Sequence, residues 1–232
     1  ALDGKDFTIN RARQYGKTTT LDFLCSCLTE EDLVLSLDFP DIGDAVFRNE
    51  GSFTQGMARI ICDAADFMGV AISEKYYKEF ADLNTKGEDR VKLDELFRIF
   101  MRWFREAEKP IVLMIDEVDS ATNNQVFLDF LAQLRSAYLK RKRNSRVKTF
   151  QSVILAGVRD VKHLKSRISD DDQHKVNSPW NIAADFDIDM SLSRDGIQGM
   201  LDEYEADHHT GMDTYEISGY LRDYTNGYPF RS

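Results

Sequence analysis

Long apolar runs are absent from this chain. Nothing in it approaches the roughly 20 consecutive apolar residues of a membrane-spanning helix, so we expect no membrane insertion. Cysteine is scarce. Cys25, Cys27 and Cys62 make three, an odd count. Cys25 and Cys27 stand two apart in a segment that reads as helix, where they point to different faces, which favours thiols over metal ligands. They read as buried thiols in a reducing cytosol, and we expect a cytoplasmic location. The four histidines offer no H-E-x-x-H or other metal spacing. His208 and His209 are adjacent, cannot share a helical face, and read as surface residues. Positive charge is also in deficit. Thirty Lys and Arg against 40 Asp and Glu leave a net charge of −10, which argues against a surface made for nucleic acid or anionic lipid.

What is present is ordinary globular composition, 42% hydrophobic and 30% charged. The 232 residues can bury one large core but hardly two complete domains, so the expectation is one α/β domain with an appendage. Ala1-Leu2-Asp3-Gly4-Lys5 opens without an initiating Met or an apolar secretory segment, and we expect a piece of a longer protein.

Asp6 to Asn10 alternates as a short strand would, Arg11 to Gly16 interrupts, and Thr18 to Leu28 is periodic as a helix. Leu33 to Phe39 reads as a second strand stopped by Pro40. Phe53 to Met68 carries Met57, Ile60, Ile61, Ala64, Ala65 and Met68 at helical spacing. After a polar stretch around Asn84 to Asp89, Leu93, Leu96, Phe97, Phe100, Met101 and Phe104 predict a helix with one broad apolar face. Pro110 ends it. Ile111 to Ile115 are five apolar residues capped by Asp116, the pattern of a central parallel strand buried on both faces. Val126, Phe127, Phe130, Leu131 and Leu134 predict the next helix, Phe150 to Val158 the next strand, and Phe186 to Leu192 a weaker fifth. From Ser193 the chain reads as helical, with Ile197, Met200, Leu201 and Tyr204 on one face. Strands alternating with helices imply right-handed crossovers and a mostly parallel sheet, with ligands outside the carboxyl ends of its strands. No internal repeat or low-complexity tract interrupts this order.

A helix N-terminus offers unpaired amides and a positive dipole end, so a loop wrapped around one can hold a phosphate. Arg11-Ala12-Arg13-Gln14-Tyr15-Gly16-Lys17-Thr18 sits where that loop belongs. Against G-x-x-x-x-G-K-[ST] it matches Gly16, Lys17 and Thr18, with Arg11 in place of the first glycine. A bare G-K-[ST] occurs by chance in on the order of one chain in ten of this size, so context must carry the reading. Context does so, because the tripeptide follows a strand and opens a helix, and a buried strand ends in Asp116-Glu117 about a hundred residues on. On this reading the amides of Arg13, Gln14, Tyr15, Gly16 and Lys17, with Thr18 and Thr19 behind them, cradle the phosphates. Lys17 bridges the β- and γ-phosphates, Thr18 ligates Mg2+, and Asp116 holds that ion through water. Glu117 orients or deprotonates the attacking water.

Phe7 to Thr18 resembles the AAA-ATPase-like family of bacterial proteins whose loops read NRPRRFGKT. Met114-Ile115-Asp116-Glu117-Val118-Asp119, Ser178-Pro179-Trp180-Asn181-Ile182-Ala183 and Tyr224-Thr225-Asn226-Gly227-Tyr228-Pro229-Phe230 resemble it too. The resemblance makes the missing glycine a family trait, and Ala12 departs from the family's proline, leaving φ there unfixed. More broadly the pattern is similar to the additional-strand ATPases and their signal-transducing branch. That similarity implies a P-loop NTPase α/β fold with a five-stranded sheet in the order 5-1-4-3-2, flanked by helices and followed by a C-terminal helical lid. It divides the chain into a nucleotide-binding domain over 1–192 and the start of a lid over 193–232. It also implies that Arg159, after the fourth strand, senses the γ-phosphate, and that Pro229 packs against adenine.

The function implied is ATP binding and hydrolysis with Mg2+, driving or switching an attached effector; the alternative is a scaffold that binds ATP or ADP without hydrolysing it. GTP is disfavoured because no N-K-x-D element follows Asp116-Glu117, and Thr85-Lys86-Gly87-Glu88 comes too early. The basic run Lys140 to Lys148 reads as a solvated helix end, leaving nucleic acid at most an indirect partner. Ser169 to Val176 reads as a surface loop without chemistry.

Overall fold

The computed structural model describes residues 4–12, 14–39, 43–122, 124–158, 180, 182–185 and 191–228. They form strands β1 (Phe7–Asn10), β2 (Leu33–Asp38), β3 (Ile111–Asp116), β4 (Ser152–Gly157) and β5 (Ala184–Asp185). The helices are α1 (Lys17–Leu28), α2 (Glu50–Met68), α3 (Glu74–Thr85), α4 (Leu93–Glu106), α5 (Gln125–Arg143), α6 (Arg194–His208) and α7 (Thr214–Thr225). Two compact units result: Ala1–Asn10 with Thr18–Phe186, and Arg11–Lys17 with Asp187–Ser232.

In the first unit the sheet is parallel, in the order β2-β3-β4-β1-β5. Four strands, β2-β3-β4-β1, make its body. A short fifth strand, the two-residue pairing of Ala184 and Asp185 with Phe7 and Thr8, precedes the stretch Phe186 to Leu192 in which the fifth strand was expected. The hydrogen bond that joins it is made by the Ala184 amide to the Asp6 carbonyl at 2.8 Å, upstream of the apolar residues that suggested a strand. Residues 186–190 lie outside the described residues, as does the stretch from Ser169 to Val176.

All six residues of β3 and all six of β4 are buried, as strands covered on both faces must be. Phe100 and Phe104 of α4 meet Phe150, and Phe127 and Phe130 of α5 meet Phe39 and Phe53 respectively. Edge-on ring contacts therefore build much of the core. Trp180, in the stretch resembling the family, is fully buried in this core. Helix α3 was not expected. Its Tyr76, Phe80 and Leu83 are buried, and they stand at i, i+4 and i+7 in an otherwise polar segment.

Cys62 is buried, but Cys27 is exposed and Cys25 half-buried, correcting the expectation of three buried thiols. Helix α1 buries only Leu21, and Cys27, six residues on, lies about 120° round the helix from it. His208 and His209 are exposed as expected. In the basic run Arg141 is an exception to solvation: its guanidinium donates to the carbonyls of Gly4 at 2.7 Å and Gln151 at 3.0 Å, and to that of Phe150. Among the described residues no helix is long and apolar enough to cross a membrane.

Arg141 lies near a buried carboxylate. Asp6 is 3% exposed and accepts the Val153 amide at 2.9 Å. Burial pushes its pKa from the ordinary 3.8 up to about 6, against the opposing effects of that hydrogen bond and of the Arg141 and Lys142 charges. Because the folded-state value is the higher one, the proton is held more tightly in the folded chain. The stabilisation this gives is complete below pH 4 and is lost as pH rises through 6. Asp6→Asn keeps an acceptor for Val153 without the charge. It is expected to be more stable than the parent near pH 7.5, by at most about 3 kcal/mol, and to lose that advantage near pH 4. Urea denaturation at the two pH values checks this; a difference independent of pH would contradict it.

Candidate functional site

Parallel pairing in register brings the carboxyl ends of four strands to one edge. Asp38 stands opposite Asp116, and Asn10 opposite Gly157. Sequence reasoning put its candidate residues at the ends of these strands, and in the first unit the structure brings two of them into contact. Thr18 Oγ1 donates to Asp116 Oδ2 at 2.6 Å across 98 residues of chain. The other carboxylate oxygen, Oδ1, accepts the Glu117 amide at 2.8 Å, and the Asp116 carbonyl accepts the Phe39 amide at 3.4 Å. Asp116 is 7% exposed, so these bonds offset the cost of desolvating its charge.

Glu117 is exposed and takes φ 51° and ψ 41°, the left-handed region that disfavours a residue with a side chain. A 3-10 turn, Val118–Ser120, follows at once. Val118 is fully buried and anchors the turn, while the Glu117 side chain is left facing solvent. Such an arrangement keeps a carboxylate wet beside one that is dry.

In the second unit the loop Arg11–Lys17 has its own geometry. Gln14 at φ 62° and Gly16 at φ 69° supply two left-handed positions, and Lys17 Nζ donates to the Ala12 carbonyl at 3.0 Å. The Tyr15 ring meets Tyr228 with centroids 4.7 Å apart and planes inclined at 48°. Tyr228 belongs to the turn after α7, where Asn226 and Gly227 are both left-handed. A Cβ on Gly227 would come within 2.6 Å of the Leu192 carbonyl, so only glycine fits there. Helix α1 carries no acidic residue of its own in its first turn. Thr19 is exposed on that turn. Arg13, Arg159 and Pro229 lie outside the described residues.

The donor set at the head of α1 is one hydroxyl and one carboxylate. Both are hard oxygens, which suit Mg2+ rather than a thiolate- or imidazole-seeking ion. Among the described residues no group of three or more His, Cys, Asp or Glu gathers elsewhere. A magnesium ion held by Thr18 and Asp116 would take its remaining ligands from water and from phosphate, its usual habit. A cleft of about 630 Å³ lined by Cys25, Val34, Tyr76, Trp103 and Lys109 lies at the amino ends of β2 and β3 and contains none of the candidate residues.

The chain aligns with a Walker-type ATPase of Pyrococcus abyssi over 97% of its own length and 59% of that protein's, with a TM-score of 0.52 and 12% sequence identity. Its fold is similar to that of this ATPase. Cdc6p from Pyrobaculum aerophilum aligns more loosely, with a TM-score of 0.44 and 14% identity over 85% of this chain and 42% of that one. The chain thus spans less than two thirds of the length of either protein. No protein-family model and no curated protein matches it.

Sequence reasoning missed Asp119, whose carboxylate accepts the Val158 amide at 2.6 Å. Its place in Asp116-Glu117-Val118-Asp119 marked it as part of a motif, but nothing local named its partner. Thr18→Val removes the hydroxyl that reaches Asp116 and keeps the side-chain shape. Because Thr18 itself is exposed, the expected loss of stability without nucleotide is only about 1 kcal/mol. Chemical denaturation checks it, and an unchanged midpoint would mean that the contact contributes nothing to the fold.

Proposed function

We propose that this chain binds ATP with magnesium and hydrolyses it, and that hydrolysis drives or switches an attached effector. The observation that carries the proposal is the 2.6 Å contact between Thr18 at the head of α1 and Asp116 at the end of β3, with Glu117 next in the chain. The fold shared with a Walker-type ATPase supports it at a general level. In the finer reading the chain belongs with the AAA-ATPase-like proteins its motifs resemble, residues 1–192 bind the nucleotide, and residues 193–232 begin a helical lid.

Each residue then has a task. The amides from Arg13 to Lys17 are assigned to the β-phosphate, where the positive end of the α1 dipole favours negative charge. The Lys17 ammonium exchanges the Ala12 carbonyl for β- and γ-phosphate oxygens, replacing a bond to a neutral acceptor by one to a charged acceptor. Thr18 and Asp116 would hold a magnesium ion, the latter through water, and the ion would supply neutralisation of the charge on the phosphate oxygens. The exposed Glu117 carboxylate accepts a proton, or a hydrogen bond, from the attacking water. Arg159 contacts the γ-phosphate and Pro229 the adenine ring. Thr19 extends the phosphate-facing turn.

Lys17→Ala is expected to weaken ATP binding by about 1.5–3 kcal/mol, the usual contribution of a hydrogen bond to a charged group, or about 10- to 100-fold, without unfolding the chain. Calorimetric titration of ATP with magnesium into parent and variant measures it. Equal affinities would remove Lys17 from the phosphate site and overturn the proposal.

A further inference from the structure

The ladder between β3 and β4 ends at the pair Ile115 and Leu155. Beyond that pair the chain from β3 carries Asp116, the left-handed Glu117 and the 3-10 turn. Beyond it the chain from β4 continues through Ala156, Gly157 and Val158. The Asp119 carboxylate spans the two. Its Oδ2 accepts the Val158 amide at 2.6 Å, across 39 residues of chain, at the point where backbone pairing has stopped. The close approach has its own requirement: a Cβ on Gly157 would meet Asp119 Oδ2 at 3.0 Å and Val118 Cγ2 at 3.1 Å, so the glycine leaves room for the bond.

We propose that Asp119 is a positioning residue for the hydrolytic reaction, fastening the Glu117 turn to the end of β4. This rests on the reading of Glu117 as the group that activates water. A left-handed non-glycine residue stays in place only where its surroundings over-determine it. At Glu117 the Asp116 Oδ1 bond fixes the amide before the side chain, and the Asp119 bond fixes the turn after it. The strand end so fastened leads directly to residue 159, so one carboxylate ties the water-activating segment to the segment preceding the residue proposed to meet the γ-phosphate.

Asp119→Ala tests this by native-state amide exchange and by single-turnover ATP hydrolysis. The expected result is faster exchange at the Val158 and Glu117 amides with no change at Leu113 and Ile154. Hydrolysis should slow by about 10- to 100-fold, as for displacement of a reacting group by about 1 Å, while ATP affinity stays within about threefold. Asp119→Asn keeps an acceptor for Val158 and is expected to restore both protection and rate. Gly157→Ala, whose methyl crowds the Asp119 carboxylate, should reproduce the Asp119→Ala pattern and serves if that variant does not fold. Unchanged exchange at Glu117, an unchanged rate, or a fall in affinity matching the fall in rate would each overturn the proposal. A parent chain that does not hydrolyse ATP would instead refute the hydrolytic role of Glu117, and amide exchange would still decide whether Asp119 fastens the turn.

Discussion

The Asp116 carboxylate is the joint on which the rest of the arrangement depends. One oxygen takes the hydroxyl of Thr18 and the other the amide of Glu117, so a single buried group fixes both the head of α1 and the first residue beyond β3. A desolvated charge is costly unless such bonds compensate it, and losing one partner leaves the other to compensate it alone. The joint in turn requires the sheet. Pairing of β3 with β2 from Leu33 through Asp38 carries Asp116 to the carboxyl edge in a defined register, and slippage by one residue would turn it to the opposite face.

Curvature in the loop Arg11–Lys17 follows from a different constraint. With Arg11 where a glycine commonly stands, the chain turns through left-handed backbone at Gln14 and Gly16 instead. Nothing lies within 4 Å of where a Cβ on Gly16 would sit, so that glycine answers to backbone conformation rather than to crowding. The Tyr15 and Tyr228 rings fasten the same loop to the turn after α7 within the second unit, which joins the two segments whose sequences carry the family resemblance there.

What could be read in advance was what is local. Five apolar residues between Pro110 and Asp116 announced β3 because so short a run behind a proline fits a strand buried on both faces, and the three-four spacing of Leu93, Leu96, Phe100 and Phe104 announced α4. Gly16-Lys17-Thr18 and Asp116-Glu117 were legible as motifs. Helix α3 was obscured by its polar surface, although Tyr76, Phe80 and Leu83 hold helical spacing. The short pairing of β5 depends on where Asp6 offers a carbonyl, and the Asp119 bond on where β4 ends, both set by distant chain. Cys27 was misjudged because α1 buries so little of its surface, a matter of packing that hydrophobic periodicity does not reveal.

In the proposed reaction Glu117 activates water on a nucleotide held beside Asp116. Glutamine at position 117 keeps the shape but is a far weaker base, and general-base assistance is worth about 10²–10⁴ in rate. The direct measurement is single-turnover ATP hydrolysis at saturating protein, comparing the parent with Glu117→Gln, since this separates chemistry from product release. The account predicts that the variant binds ATP with magnesium as the parent does and hydrolyses it at least about a hundredfold more slowly. A variant that hydrolyses at the parent rate would contradict it.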